Sequence, residues 1–152
     1  MKNQFYMGIL ILGFSFQACD SEKSNKEVPM TVKEAFGSRF PEAKNVEWGR
    51  ENEEEWEAEF SLEGHEYSSN FSNSGDWLET ETEVAIDEIP ADIINLLNQE
   101  FTDYDLEFSE RVESPEGIAY EFGIEVDEDE YEVLIDSRGK IEKKIENESD
   151  ED

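Results

Sequence analysis

The chain of 152 residues has one cysteine, one histidine and only 12 basic residues against 42 acidic ones. One cysteine cannot form a disulfide within the chain, so the fold must depend on its hydrophobic core. The formal net charge of −30 argues against nucleic acid as a partner, because phosphate binding requires a basic surface. The sequence also lacks a phosphate-cradling glycine loop and a Cys/His zinc spacing.

Long hydrophobic runs are scarce as well. Lys2 precedes an uncharged, apolar segment of twelve residues (5–16), and Ala18 places a small residue directly before Cys19. A spanning helix needs ~20 apolar residues, so this segment is too short. Its layout is that of a secretory signal. It resembles a bacterial lipoprotein signal, although Phe16 stands where that pattern usually has leucine. The alternative is an ordinary signal peptide with an incidental cysteine.

The lipoprotein resemblance implies that Cys19 becomes the first mature residue and carries several acyl chains, which together anchor a protein stably. We therefore expect an outer-membrane protein of the cell envelope that faces the periplasm or the surface. The predicted organisation is a signal peptide (1–18), a flexible tether (19–27), a first folded unit (28–86), a second folded unit (87–146) and an acidic tail (147–152).

The body is predicted to fold, because aromatic residues make up 12% of the chain and recur periodically. Its two halves repeat one plan, beginning at Val28-Pro29 and at Ile89-Pro90. Each half opens with an apolar stripe at helical spacing. A capping box formed by Thr31 and Glu34 is predicted at the first helix. The stripes comprise Val32, Ala35, Phe36 and Phe40 in the first half and Ile93, Leu96, Leu97 and Phe101 in the second.

Strands follow each helix. Trp56, Ala58 and Phe60 alternate with acidic residues, which is the period of a half-buried strand and predicts that Trp56 lies in the core. The short, glycine-containing connections favour an antiparallel arrangement. We predict an α+β fold of two tandem units, each a helix with a four-stranded antiparallel sheet, that could share one continuous sheet. The predicted strands are 45–51, 54–63, 65–73, 77–85, 104–114, 117–127, 129–137 and 140–146.

Three segments together carry a family resemblance: Val46-Glu47-Trp48, Trp56 through Phe60, and Gly75 through Thr80. They resemble the PepSY-like, beta-lactamase-inhibitor-like lipoproteins of the Bacteroidetes envelope. The resemblance covers about residues 30–145 and is more specific in the first half, because Phe108, Ile118 and Ile141 replace tryptophans in the second. It implies helices packed against an antiparallel sheet, and it implies no known activity.

Residues that could carry chemistry are few. His65 is the single histidine and lies at a predicted strand start, where a surface position is expected. Calcium is the one ion worth weighing, because carboxylates, with Asp127 and Asp129 as the candidate ligands, are concentrated at a hairpin tip. Their spacing does not match an EF-hand loop, and an ordinary polar turn is the competing interpretation. No other cofactor is expected.

The predicted function is therefore non-enzymatic binding of a protein or peptide at a sheet face, with the membrane reached through Cys19. Trp48 and Trp77 are candidates for the binding face, since aromatic residues dominate interface energetics, but core positions are equally compatible with their strands. An acidic calcium-binding or structural envelope component is the alternative. An enzyme would be indicated by a deep pocket with two carboxylates of divergent pKa.

Overall fold

The computed structural model describes residues 27–127 and 129–145, so the signal segment, Cys19 and the acidic tail lie outside the described residues. The described chain runs as one helix and four strands, a short 3-10 turn (Ile86–Glu88), then a second helix and four more strands. These elements are α1 (Met30–Arg39), β1 (Lys44–Arg50), β2 (Glu55–Leu62), β3 (His65–Ser72), β4 (Trp77–Glu83), α2 (Ala91–Glu100), β5 (Asp105–Ser114), β6 (Gly117–Val126), β7 (Asp129–Asp136) and β8 (Ile141–Ile145).

All eight strands form one sheet in the order of the chain, β1 to β8, and every neighbouring pair is antiparallel. The predicted strands and their antiparallel arrangement are confirmed, with ends that differ by one or two residues. The central pair, β4 with β5, joins the two halves into one continuous sheet. That the halves are two copies of one unit stays a prediction.

Both helices pack on the same face of the sheet, here called the helix face. Val32 and Phe36 of α1 lie in a buried cluster with Phe60 and Phe71. Trp56 belongs to this cluster and is buried, as predicted. The equivalent contacts of α2 involve Ile93, Leu97, Phe122, Ile124, Val133 and Ile135. Since neither helix could bury its apolar stripe alone, the sheet supplies the second layer of the core.

The predicted capping box at α1 is wrong. The helix begins at Met30, with Pro29 at the cap position and no side-chain cap hydrogen bond. The carbonyl of Pro29 accepts hydrogen bonds of 3.1 Å from the backbone N–H groups of Val32 and Lys33. Pro29 keeps an extended ψ of 145°, and the helix begins at the next residue, Met30, so Thr31 lies inside the first turn. Within the described residues, neither helix is long and apolar enough to cross a membrane.

The start of α1 also lies against the turn between β3 and β4. Gly75 has a φ of +90°, and a Cβ added there would approach the carbonyl oxygen of Thr31 to 2.8 Å. Only glycine combines this backbone conformation with so close an approach. The turn therefore helps to place α1 on the helix face.

Candidate binding face

Among the described residues no helix covers the opposite face of the sheet, which carries buried glutamates. Glu79, Glu81, Glu110, Glu121 and Glu132 are only 2–9% exposed. Successive residues of a strand point to opposite faces, so the helix-face residues alternate with these glutamates. We call the surface formed by these five residues the carboxylate face.

The strand register brings these carboxylates together across β4 to β7. Glu110 is paired with Glu121 on the neighbouring strand. A small apolar cluster, Val112, Ala119 and Leu134, is buried among them. The face therefore combines an apolar centre with several acidic side chains, an arrangement that suits binding a partner with both apolar and basic groups.

Several carboxylate oxygens on this face lack a hydrogen-bond partner among the described residues: Glu81 Oε2, Glu110 Oε2 and Glu121 Oε1. Glu79 accepts a hydrogen bond of 3.4 Å from Asn70 Nδ2. Glu132 Oε2 lies 3.9 Å from Lys144 Nζ, an ion pair at the β7–β8 edge. Buried polar atoms without partners are rare in folded proteins and often mark functional sites.

Burial strongly perturbs the acidity of these groups. It raises the pKa of Glu81 to about 10 and that of Glu121 to about 9, and neighbouring carboxylates add to both shifts. Burial likewise raises the pKa of Glu79 and of Glu110 to about 7. At neutral pH Glu81 and Glu121 are therefore protonated and can donate hydrogen bonds, while Glu79 and Glu110 are near half-ionisation.

A cleft of about 480 Å³ opens at the end of this face where β4 begins and β7 ends. Its apolar lining consists of Leu78, Ile118, Ala119 and Leu134, and Glu79 forms part of the wall. We refer to this cavity as the cleft. Its volume lies in the range of sites that hold small molecules or a few residues of a peptide.

The cleft also contains Asp136, whose pKa is lowered, whereas the pKa of Glu79 is raised. Although burial opposes it, hydrogen bonds from the backbone N–H groups of Lys140 and Arg138 and from the Arg138 side chain lower the pKa of Asp136. Asp136 and Glu79 thus meet the condition of two carboxylates with divergent pKa values in one pocket. Asp136 serves the β7–β8 turn, however. Three strand spacings of ~4.8 Å separate the two strands, about 14 Å, which is too far for concerted acid–base catalysis.

The two candidate tryptophans lie on the helix face. Trp48 is half-buried, with its ring centroid 5.3 Å from that of Phe36. The guanidinium carbon of Arg39 lies 3.3 Å from the ring centroid of Trp77, and Trp77 Nε1 donates a hydrogen bond of 2.9 Å to Thr80 Oγ1. Neither tryptophan belongs to the carboxylate face, and a role for them in binding stays a prediction.

The other candidate residues are not brought together. Asp127 and Asp129 are exposed at the β6–β7 turn. Within residues 27–127 and 129–145, no three His, Cys, Asp or Glu side chains could jointly hold a metal ion. Calcium binding at the two aspartates stays a prediction, and Cys19 lies outside the described residues. His65 is exposed at the start of β3, as expected for a surface histidine.

Sequence reasoning missed the carboxylate face. The signal was present, because Glu121 follows a core tyrosine and precedes a core phenylalanine on β6. Glutamate alternating with core residues normally indicates a solvated face, and a chain with 42 acidic residues contains many such positions. Only the register of four strands shows that these particular glutamates are adjacent and buried.

The fold and the face define a class of protein: an antiparallel sheet covered by helices on one side and acidic on the other. The family model described as "Putative beta-lactamase-inhibitor-like, PepSY-like" matches residues 54–143. The chain belongs to this PepSY-like, beta-lactamase-inhibitor-like family. The family resemblance inferred from the tryptophan-containing segments is thereby confirmed. Among curated proteins, none matches the chain.

Solved structures from Bacteroides share the fold. A BLIP-like protein from Bacteroides fragilis superposes with a TM-score of 0.71 at 17% identity, over 88% of this chain and 96% of that one. A DUF2874 family protein from Bacteroides uniformis gives a TM-score of 0.69 at 20% identity, over 78% of this chain and 90% of that one. A protein from Bacteroides eggerthii named as putative periplasmic gives 0.69 at 21% identity, over 79% and 90% respectively.

Proposed function

We propose that this protein is a non-enzymatic component of the cell envelope that binds a protein or peptide through the carboxylate face. The observation that carries the proposal is the set of buried carboxylate oxygens on that face, at Glu81, Glu110 and Glu121, without a hydrogen-bond partner among the described residues. Leaving such an atom unpaired costs ~1–3 kcal/mol. These oxygens are inaccessible in the free protein, so a partner that supplies donors would recover that free energy when the glutamate side chains turn toward it on binding.

Charge indicates what the partner looks like. The chain has a net charge of −30. Beside the buried apolar cluster, the carboxylate face holds Glu79 and Glu110, which are near half-ionisation at neutral pH, and the exposed Glu59 lies on the same side of the sheet. Electrostatic complementarity raises association rates and selects partners of opposite charge. The partner is therefore a basic protein or peptide with some apolar surface.

The family relationship supports a binding role over catalysis. The matching family is named for its likeness to beta-lactamase inhibitors, and the protein from Bacteroides fragilis is named BLIP-like. Inhibition of a target protein is one form that binding by this protein would take. The divergent carboxylates of the cleft do not favour an enzyme, because Asp136 is engaged in its own turn.

The remaining parts of the proposal concern the anchor and the two halves. Cys19 is the lipid attachment site after removal of residues 1–18, and the envelope location follows from it, in agreement with the periplasmic description of one structural relative. Labelling cells with a fatty-acid analogue tests the anchor: the Cys19→Ser variant should lose all label.

The halves, 28–86 and 87–146, descend from one duplicated unit, and superposing them with α1 on α2 should align each strand with its counterpart.

Site-specific photo-crosslinking in intact cells tests the binding face. A photoreactive residue at Glu59 or at Glu142 lies on the same side of the sheet as the carboxylate face and should capture a defined envelope protein. The matched controls are Glu34 and Asn95, exposed positions on the two helices. Equal capture from the helix positions, or no capture from either sheet position, would contradict the proposal. Saturable calcium binding by the protein, together with no captured protein, would favour an acidic calcium-binding component.

A further inference from the structure

We propose that the cleft receives a lysine or arginine side chain from a basic segment of the partner, with its alkyl stem on the apolar lining and its cationic head at Glu79. This inference rests on the proposed function, because it names the chemical group that is bound at that face. Four features of the cleft support it: its lining, its buried acid, the pairing of its own cations and its size.

The lining is apolar where a stem would lie. Ala119 and Leu134 are buried at its base, and Leu78 and Ile118 border it. Ile118 is among the exposed large hydrophobic residues of the chain. Lysine and arginine bury their methylene stems along such surfaces while the charged head reaches a polar partner.

The buried acid is Glu79. It is 8% exposed, and its one hydrogen bond within the described residues comes from the neutral amide of Asn70, at 3.4 Å. Two further carboxylates at the cleft, Glu55 and Glu116, likewise accept from neutral donors, Asn52 at 3.0 Å and Ser114 at 3.1 Å. The described residues provide no cation to any of the three. A cationic head from outside would meet acceptors that no positive charge already occupies.

The cations of the cleft are engaged elsewhere. Arg138 pairs with Asp136 through Nε and Nη2 at 2.9 and 2.5 Å. Lys140 pairs with Glu142. These two pairs leave an acidic excess on the Glu79 side of the cleft, so an anionic ligand is disfavoured and a cationic one is attracted.

The size of the cleft favours a peptide over a bare ion. Calcium takes six to eight oxygen ligands at short distance, and no three acidic side chains of the described residues converge for a metal. A volume of about 480 Å³ exceeds what a single side chain fills. The neighbouring residues of a bound segment can therefore rest on the same lining.

Peptide titration of the full-length protein, followed by ¹⁵N amide chemical shifts, tests the inference. The probe is acetyl-Ala-Ala-Leu-Lys-Ala-Ala-amide. Its control carries norleucine in place of lysine and a free N-terminus, which keeps the net charge at plus one. The lysine peptide should bind saturably, shift the amides of Glu79, Ala119 and Leu134, and bind at least fivefold more tightly than the control.

Matched variants locate the cationic head. Glu79→Gln keeps the shape and an acceptor for Asn70, and it should weaken the lysine peptide at least fivefold. Glu59→Gln removes one acidic group from an exposed position on the same side of the sheet, outside the cleft, and should change the affinity less than twofold. Amide shifts far from the cleft report whether each variant is folded. If Glu79→Gln does not fold, the inference is still tested by comparing the affinities of the two peptides for the unmodified protein.

Three results would overturn the inference: equal affinity for the two peptides, unchanged affinity of Glu79→Gln, or stoichiometric displacement of the peptide by calcium. They are separable from failure of the proposed function. Capture of the envelope partner from Glu59 that persists in Glu79→Gln would mean that the face binds its partner without a basic side chain in the cleft. Loss of capture from every sheet position in the unmodified protein would contradict the proposed function itself.

Discussion

Both faces of the sheet contain buried residues, but burial on the two faces contributes to stability with opposite sign. On the helix face, Phe122 is fully buried among other apolar side chains. On the other face its chain neighbour Glu121 is nearly as buried, yet one of its oxygens has no hydrogen-bond partner among the described residues. Burial of an apolar ring stabilises the fold, whereas burial of an unsatisfied carboxyl destabilises it.

This contrast shows that low exposure alone does not identify a core. The aromatic rings under α1 pack at short distances, with Phe36 and Phe60 centroids 5.1 Å apart in an edge-to-face arrangement. Among the described residues the carboxylate face has no such ring packing, and its acidic residues repel one another where they are ionised. We infer that the helix face, and not the carboxylate face, maintains the fold.

The largest expected effect comes from deleting a ring on the helix face. Phe122→Ala removes a fully buried side chain from the cluster under α2 and should lower the free energy of unfolding by ~3–5 kcal/mol, because it loses transfer free energy and leaves a cavity. Urea denaturation measures it. Glu125→Ala, at an exposed position of the same strand, serves as the control and should change the free energy by less than ~0.5 kcal/mol. A loss below ~1 kcal/mol for Phe122→Ala would contradict the assignment of this cluster as core.

The pH dependence of stability should follow from the carboxylate face. The folded-state pKa values of Glu79, Glu81, Glu110 and Glu121 lie at about 7 to 10, above the ordinary value of ~4.3 for unfolded glutamate. The folded state therefore holds protons that the unfolded state has released. This stabilising contribution is complete below about pH 4.3 and is lost as the pH rises through the folded-state values. The free energy of unfolding should fall by at least ~2 kcal/mol between pH 5 and pH 8.

Neutral variants separate this effect from the overall negative charge. Glu81 faces Glu79, Glu121, Glu110 and Glu57, and the described residues offer it no cation, whereas Lys144 partly offsets the burial of Glu121. Glu81→Gln should flatten the pH dependence and stabilise the protein at pH 8. Glu125→Gln, at an exposed position on the same side of the sheet, should leave the slope nearly unchanged. If the free energy of unfolding falls equally with pH in both variants, the pH dependence comes from the net charge of the protein.

The smallest expected effect lies where α1 meets the junction of the halves. Arg39 stacks on the Trp77 ring at 3.3 Å, and its Nη2 lies 3.3 Å from Glu113 Oε1 on β5. An exposed cation–π contact contributes ~0.5–1 kcal/mol, so Arg39→Ala should cost about 1 kcal/mol in a urea titration. Arg39→Lys should recover part of it, because lysine keeps the charge without the planar stacking. No measurable loss would show that this contact does not hold α1 to β4.

Much of the fold was predictable because its signals are local. The alternation around Trp56 and Phe60 identified a strand and its buried side, and both residues are buried. The apolar spacing of Ile93 and Leu97 identified α2 and its contact face. The start of α1 was predicted wrongly, because two local signals, Pro29 and Thr31, lie two positions apart, and the helix begins directly after the proline.

The carboxylate face was not predictable in the same way. A glutamate at an alternate strand position looks alike in every strand, whether it is exposed like Glu59 or buried like Glu121. Its burial depends on which strands lie beside it and on the side chains they place there. The pairing of Glu110 with Glu121 joins residues eleven positions apart across β5 and β6, and no local pattern encodes their shared desolvation.

Hydrophobic periodicity and turn residues act over a few positions, so the amino-acid sequence specifies the elements of this protein, their antiparallel order and the side of each strand that faces the helices. Which of the 42 acidic residues lie close together and are withdrawn from water on the other side depends on the folded sheet. Desolvation and charge repulsion depend on distances between strands, and those distances exist only once the whole sheet has formed.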